Sequence, residues 1–375
     1  MKIVIAPDKF KGSLSAFEFC DAVESGLSKL NKPLEIVKLP LADGGDGTVD
    51  VVNYYLNAEK IQTEVKDPLF RTITSSYLFS NATKSAFIEM AEASGLHLLK
   101  EEERNCMNTT SFGTGEMIKD AIQRGAKKII LGIGGSATND CGIGMANALG
   151  FRFLDTDERE VVPVGKNLGT INRIDASGLN KRLHHVDFKV ACDVGNPLYG
   201  REGAAHVYAA QKGANPDEIR FLDEGLKHFS SLLSNHFKTD PQNIKGGGAA
   251  GGMGVATKLF LDAELVSGID LIMELARFAE RINGADWIIT GEGKLDSQTA
   301  SGKTISGVLK LAREHEIPVA ALCGSVALSK SEQEAMGLKY VSSILENTGD
   351  MESAIRNAYV NLVFMAQNLG DILSK

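Results

Sequence analysis

The stretch Ile129-Ile-Leu-Gly-Ile-Gly-Gly-Ser-Ala-Thr-Asn-Asp140 restricts the possible architecture more than any other part of the chain. Ile129, Ile130 and Leu131 form a short apolar run suited to a strand buried on both faces. Gly132, Gly134 and Gly135 then turn the backbone, and Ser136, Thr138, Asn139 and Asp140 offer side-chain oxygens and helix-capping groups. Gly142 to Leu149 reads as a short helix whose free N–H groups and dipole would face the loop and favour an anion there, phosphate above all.

The same order, apolar strand then polar loop then helix, recurs. Lys2 to Ala6 leads into Pro7-Asp-Lys-Phe-Lys-Gly-Ser13, with Ser13 or Ser15 capping a helix to about Lys29. Leu34 to Leu39 leads into Pro40-Leu-Ala-Asp-Gly-Gly-Asp-Gly-Thr48, Trp287 to Thr290 into Gly291-Glu-Gly-Lys-Leu-Asp-Ser-Gln298, and Val319 to Cys323 into Gly324-Ser325. Two stretches depart from this pattern: alternating strands between Gln62 and Met90, and mixed material after Gly150 that includes Phe188 to Cys192 and the run Gly246 to Gly254.

These signals predict an α/β protein of two domains. Residues 1–48, 104–150 and 277–375 are expected to form a Rossmann-like, doubly wound parallel sheet of about six strands. Residues 49–103 and 151–276, two insertions, are expected to form a second mixed α/β domain, with the active site in a cleft between the two.

Composition narrows the function. A net charge of −8, with no long Lys/Arg cluster, gives no electrostatic reason to expect a nucleic-acid partner. No segment approaches the roughly 20 apolar residues that cross a bilayer, and the brief apolar run at the N-terminus reads as a first strand. Cys20, Cys106, Cys141, Cys192 and Cys323 are scattered without a C-x-x-C pair, which points to a reduced cytoplasmic setting and away from disulfides or zinc. Small-molecule chemistry is the expectation; nothing in the sequence sets an oligomeric state.

The central glycine turn admits three readings: a nucleoside triphosphate site, a dinucleotide site, and a tight structural turn. Gly132-x-Gly134-x-x-Ala137, with Asp155 further on, matches the dinucleotide fingerprint. The hydroxyls and acid of Ser136, Thr138 and Asp140 exceed what a dinucleotide needs and favour phosphate held at Gly134, Gly135, Ser136, Ala137 and Thr138. Asp8, Asp43, Asp46, Asp193, Glu292 and Asp296 all follow strands. A kinase needs such carboxylates to hold Mg²⁺ and to accept the proton of an attacking alcohol, although a metal-dependent phosphohydrolase would need them too. Ser301-Gly-Lys-Thr304 resembles the end of a P-loop but lacks the leading glycine and strand. The Gly246 run serves either nucleotide approach or close helix packing.

Nine ordered motifs then give the chain a family. Ala6-Pro-Asp-Lys-Phe-Lys-Gly-Ser-Leu-Ser15, Ala42-Asp-Gly-Gly-Asp-Gly-Thr48, Asp67-Pro-Leu-Phe-Arg71, Ile88-Glu-Met-Ala-Glu-Ala-Ser-Gly95, Phe112-Gly-Thr-Gly-Glu116, Gly134-Gly-Ser-Ala-Thr-Asn-Asp140, Cys192-Asp-Val-Gly-Asn-Pro-Leu198, Gly247-Gly-Ala-Ala-Gly-Gly-Met-Gly254 and Thr290-Gly-Glu-Gly-Lys-Leu-Asp-Ser-Gln-Thr299 resemble the bacterial glycerate kinases of the first type, nearly end to end. The resemblance implies transfer of the γ-phosphoryl of ATP to D-glycerate with Mg²⁺, giving 2-phosphoglycerate. Lys9 stands where serine is usual in the family, Cys141 where glycine is, Phe112 where tyrosine is, and Ala210 where proline is.

The expected roles follow. Gly134 to Thr138 bind the nucleotide phosphates, and Glu292 and Asp296 hold Mg²⁺. Asp193 is the first choice of base, with Asp43 its rival. Lys11 and Arg71 grip the glycerate carboxylate, Arg71 through a bidentate pair.

Overall fold

The computed structural model describes residues 1–30, 32–45, 47–297 and 304–373. Asp46, and Ser301 to Lys303 of the P-loop-like stretch, lie outside the described residues. The chain divides into two compact units, Met1–Tyr55 with Gly268–Lys375, and Leu56–Ser267.

The first unit is built on a five-stranded, wholly parallel sheet in the order Leu338–Ser343, Val319–Cys323, Trp287–Thr290, Lys2–Ile5, Glu35–Lys38. Counted along the unit, that order is 2-1-3-4-5, a doubly wound arrangement that reverses direction between Lys2–Ile5 and Trp287–Thr290. Unbroken apolar runs make the central strands: Ile3, Val4, Ile5, Ile288 and Ile289 are fully buried. The helix Ala16–Leu27 begins where Ser15 and Glu18 form a reciprocal capping box, and it buries Phe19, Cys20, Val23 and Leu27 at helical spacing. Its Gly26 allows the Ala358–Leu373 helix to cross closely, since a Cβ there would lie 2.4 Å from Val363 O.

The second unit carries a six-stranded mixed sheet in the order Glu264–Val266, Asp187–Ala191, Lys128–Gly132, Ser85–Glu89, Thr72–Ser80, Glu59–Lys66. The first four strands run parallel, and the last two join as antiparallel hairpins.

This arrangement corrects the expected domain boundaries. Segment 104–150 lies in the second unit, its strand Lys128–Gly132 paired between Ser85–Glu89 and Asp187–Ala191. One continuous insertion, Leu56–Ser267, replaces the two that were expected. The physical reason is the crossover: the helix Phe112–Gln123 leads from Ser85–Glu89 straight to a parallel neighbour, as a βαβ unit requires. The change from alternating to continuous apolar strands marks a meander joining a parallel sheet, not a change of domain. Among the described residues, no helix is long and apolar enough to cross a membrane.

Candidate active site

In the first unit the strand ends converge at the reversal point of the sheet. Asp8 N–H donates to Gly291 O at 2.9 Å and Ala6 N–H to Ile289 O at 2.8 Å, tying together the loops that follow the two central strands. The loop after Thr290 can seat only because residue 291 is glycine; a Cβ there would stand 2.1 Å from Leu322 O and 2.5 Å from the Phe19 ring. A hollow of about 480 Å³ opens over these loops, lined by Asp8, Lys11, Asp43, Glu292 and Asp296, with Met351 and Ile355 on an apolar side. Its size and mixed lining suit a small polar ligand, and its place, at the carboxyl ends of strands, is where doubly wound sheets bind. A second hollow of about 500 Å³ runs along the outer side of the helix Thr304–Glu314, among Lys310, Arg313 and Glu314. No loop from a strand end reaches it.

Asp8 is buried, and its carboxylate accepts from Lys9 N–H at 2.7 Å and from Thr304 Oγ1 at 2.6 Å. Burial, with a smaller push from Asp43, raises its pKa to about 6. Asp43 accepts from Gly45 N–H at 3.2 Å, Glu292 is 9% exposed, and Asp296 lies 3.2 Å from Lys294 Nζ. Lys11 is exposed on the rim. Glu292 and Asp296 fit a Mg²⁺ ion, which takes one or two protein carboxylates and completes its shell with water and phosphate oxygens. Among the described residues no group of three or more His, Cys, Asp or Glu side chains is placed to hold a metal ion.

The glycine turn of the second unit differs from expectation in two respects. The short helix Ile143–Ala148 does not offer its N-terminus to a ligand, because Asp140 already fills it. That carboxylate is fully buried and accepts from Ser111 N–H at 2.8 Å, Ser111 Oγ at 2.7 Å, Gly142 N–H at 3.1 Å and Gly144 N–H at 3.3 Å. Burial still holds its pKa above the ordinary value, with the four donors opposing. Of the expected phosphate donors, Ala137 N–H is committed to Ser94 O at 2.8 Å. Gly134 and Gly135 are exposed, Gly135 with φ +68°, and among the described residues their N–H groups meet no protein acceptor. Beneath the turn, Lys212 Nζ donates to Ser136 Oγ at 2.8 Å and to Thr138 O at 2.7 Å. Burial lowers the pKa of this lysine to about 8. No sequence signal marks Lys212: Gln211-Lys-Gly213 follows no strand and carries no motif.

The Gly246 run resolves as packing. A Cβ on Gly251 would lie 2.2 Å from Thr138 O, and one on Gly254 2.2 Å from Gly246 O, so these glycines let the helix Ala249–Leu261 press on the back of the turn. Cys141 sits at φ +48°. The dinucleotide reading fails on topology. Asp155 follows a strand, Arg152–Leu154, paired antiparallel to Arg173–Asp175, and its carboxylate accepts from Asp157 and Arg159 N–H within its own turn.

The Asp193 and Arg71 loops leave the same edge of this sheet as the glycine turn. Asp193 is exposed after Asp187–Ala191. The Arg71 guanidinium is partly engaged, with Nε on Asp67 at 2.5 Å and one Nη on Glu103 at 2.7 Å. Only its second Nη stands ready for a substrate carboxylate, so the expected bidentate grip needs a change of partners. Burial pushes the Cys323 thiol up to about 12 and Cys106 to about 11, so neither is a ready nucleophile.

Comparison with known proteins agrees across the whole length. The model of the glycerate kinase family matches residues 3–374. The chain is 43% identical to a glycerate kinase of Bacillus cereus, over 99% of this chain and 98% of the other. It is 41% identical to a glycerate 2-kinase of Escherichia coli K12, over 100% and 98%. The crystal structure of a provisionally assigned glycerate kinase 2 from Salmonella typhimurium LT2 superposes with a TM-score of 0.89 at 42% identity, covering 100% of this chain and 98% of that one. With carboxylates and a lysine gathered at a strand-end hollow, and family similarity from one end to the other, this chain belongs to the glycerate kinase family.

Proposed function

We propose that the protein transfers the γ-phosphoryl group of ATP to D-glycerate, giving 2-phosphoglycerate and ADP. The observation that supports this most is the hollow at the sheet reversal, where Asp8, Lys11, Asp43, Glu292 and Asp296 arrive from three separate loops. The relatives that carry the names glycerate kinase and glycerate 2-kinase match this chain over nearly its whole length.

Lys11, exposed at the rim as a point charge, and the second Nη of Arg71 are the two candidates to take the glycerate carboxylate. The proton of the attacking hydroxyl goes to Asp193 or Asp43. Asp43 gains support from lining the hollow, Asp193 from its exposure at a strand end. Gly134, Gly135, Ser136 and Thr138 hold the nucleotide phosphates through N–H and hydroxyl groups. Glu292 and Asp296 hold Mg²⁺, which when bound neutralises charge on the phosphate oxygens. The five cysteines are unpaired, as suits a cytoplasmic enzyme.

Incubation with ATP, Mg²⁺ and D-glycerate, followed by phosphorus NMR, tests the proposal. A single new monoester resonance coupled to the C2 proton supports it. A resonance coupled to the C3 protons moves the attack to the other hydroxyl, and free phosphate without any ester makes the protein a hydrolase.

A further inference from the structure

Lys212 has a position that the roles above do not use. It closes the short turn Ala210–Lys212, is 3% exposed, and spends two hydrogen bonds on the glycine turn, to Ser136 Oγ and Thr138 O. Among the described residues no carboxylate lies within ion-pair distance of its Nζ; Asp140 and Cys106 are the titratable groups that act on it from farther away. Burying an ammonium without a counter-charge is costly unless an anion arrives to complete the pair.

The hydrogen-bond accounting shows where that anion belongs. An ammonium has three donors and no acceptor, so one donor of Lys212 is left over. Ser136 Oγ must accept from Lys212, which leaves the hydroxyl hydrogen of Ser136 directed elsewhere. Thr138 Oγ1 is fully buried and has no hydrogen-bond partner among the described residues. Four donors therefore collect at one turn (one on Lys212, the Ser136 hydroxyl, and the exposed N–H groups of Gly134 and Gly135), and the described residues supply no acceptor for them.

We infer that Lys212 is a positioning residue for phosphate: its charge and its hold on Ser136 Oγ turn the Ser136 hydroxyl and the remaining ammonium donor toward a phosphate oxygen of the nucleotide at Gly134–Ser136. This rests on the placement of the ATP phosphates at the turn. It goes beyond that placement by giving the site its cation, one that approaches from the protein interior and not from the loop itself.

Calorimetric titration of the full chain with MgATP and, separately, with D-glycerate tests it. Lys212→Met keeps the apolar stem and removes the charge; its MgATP affinity should fall about tenfold or more, with glycerate affinity within about twofold of wild type. Equal loss for both ligands, or MgATP affinity within about twofold of wild type, overturns the inference. If Lys212→Met does not fold, Ser136→Ala decides, since it leaves the ammonium in place. A loss of about threefold or more for MgATP alone supports the inference, and no loss overturns it. Raising the pH from 7 to 9.5 should weaken MgATP binding to wild type, as the amine loses its proton, and leave Lys212→Met flat; a flat wild-type profile also overturns it. Wild type that binds no MgATP while still folded would remove the phosphate placement itself, whereas equal MgATP binding by wild type and Lys212→Met removes only the role of the lysine.

Discussion

Replacing Asp8 by Asn should make the first unit more stable at neutral pH, and by an amount the structure allows one to work out. The Asp8 carboxyl titrates at about 6 in the folded chain against an ordinary 3.8, because burial disfavours its charge. Below the ordinary value both folded and unfolded chains hold the proton, and the group costs nothing. Between 3.8 and about 6 the unfolded chain releases its proton while the folded chain keeps it, so stability falls as pH rises. At about 1.4 kcal/mol per pH unit the loss amounts to about 3 kcal/mol, complete near pH 7. Asn carries no charge at any pH, still accepts from Lys9 N–H, and can donate its amide to Thr304 Oγ1, which exchanges roles with it. The stability of Asp8→Asn relative to wild type should therefore climb by about 2.5 kcal/mol from pH 4 to pH 7. Trp287, the single tryptophan, lies in a central strand of the same unit, so its fluorescence in urea titrations with EDTA present reports this unit. Other groups cancel in the difference. A flat difference across that range refutes the argument, and a falling one shows that Thr304 and Lys9 hold the carboxylate ionised despite its burial.

Gly291→Ala should destabilise the first unit by about 3 kcal/mol, because the clash is with the backbone carbonyl of Leu322 as well as with the Phe19 ring; urea unfolding measures it. Asp140→Ala should cost about 4 kcal/mol or more in the second unit by leaving Ser111, Gly142 and Gly144 donors unmet, seen as a large drop in its calorimetric melting temperature. Asp43→Asn and Asp193→Asn separate the two base candidates: the true base should lose about 10²- to 10⁴-fold in kcat, the other far less, by a coupled ADP assay. Ser15→Ala should cost about 1 kcal/mol through its lost cap while leaving kcat unchanged, and a change in kcat would place the Ala16–Leu27 helix nearer the chemistry than drawn here.

What could be read from the chain was local. Apolar runs such as Ile3 to Ile5 and Val319 to Cys323 announce buried parallel strands, and the glycine and acid residues after them announce loops at one sheet edge. The capping box at Ser15 and the glycine turn at 134–135 are equally local, because each depends on residues within a turn of one another. Asp43, Glu292 and Asp296 stand out in the sequence as acids that follow strands, and one hollow receives all three together with Lys11.

What failed was of a different kind. Lys128–Gly132 looks like a strand of the first sheet, yet its pairing with Ser85–Glu89 makes it the middle of another. Asp140 looks like a ligand group, yet its oxygens are taken by Ser111, 29 residues earlier, and by the start of its own helix. Lys212 bears no motif at all, and it reaches Ser136 across 76 residues of chain. Residue identity and spacing determined the elements, the polar loops and the family. Only folding decided which sheet each strand joined, which carboxylates were left facing a hollow, and which cation came to lie under the turn. Those outcomes depend on burial and on hydrogen-bond partners brought together from distant parts of the chain, and both are properties of the packed molecule.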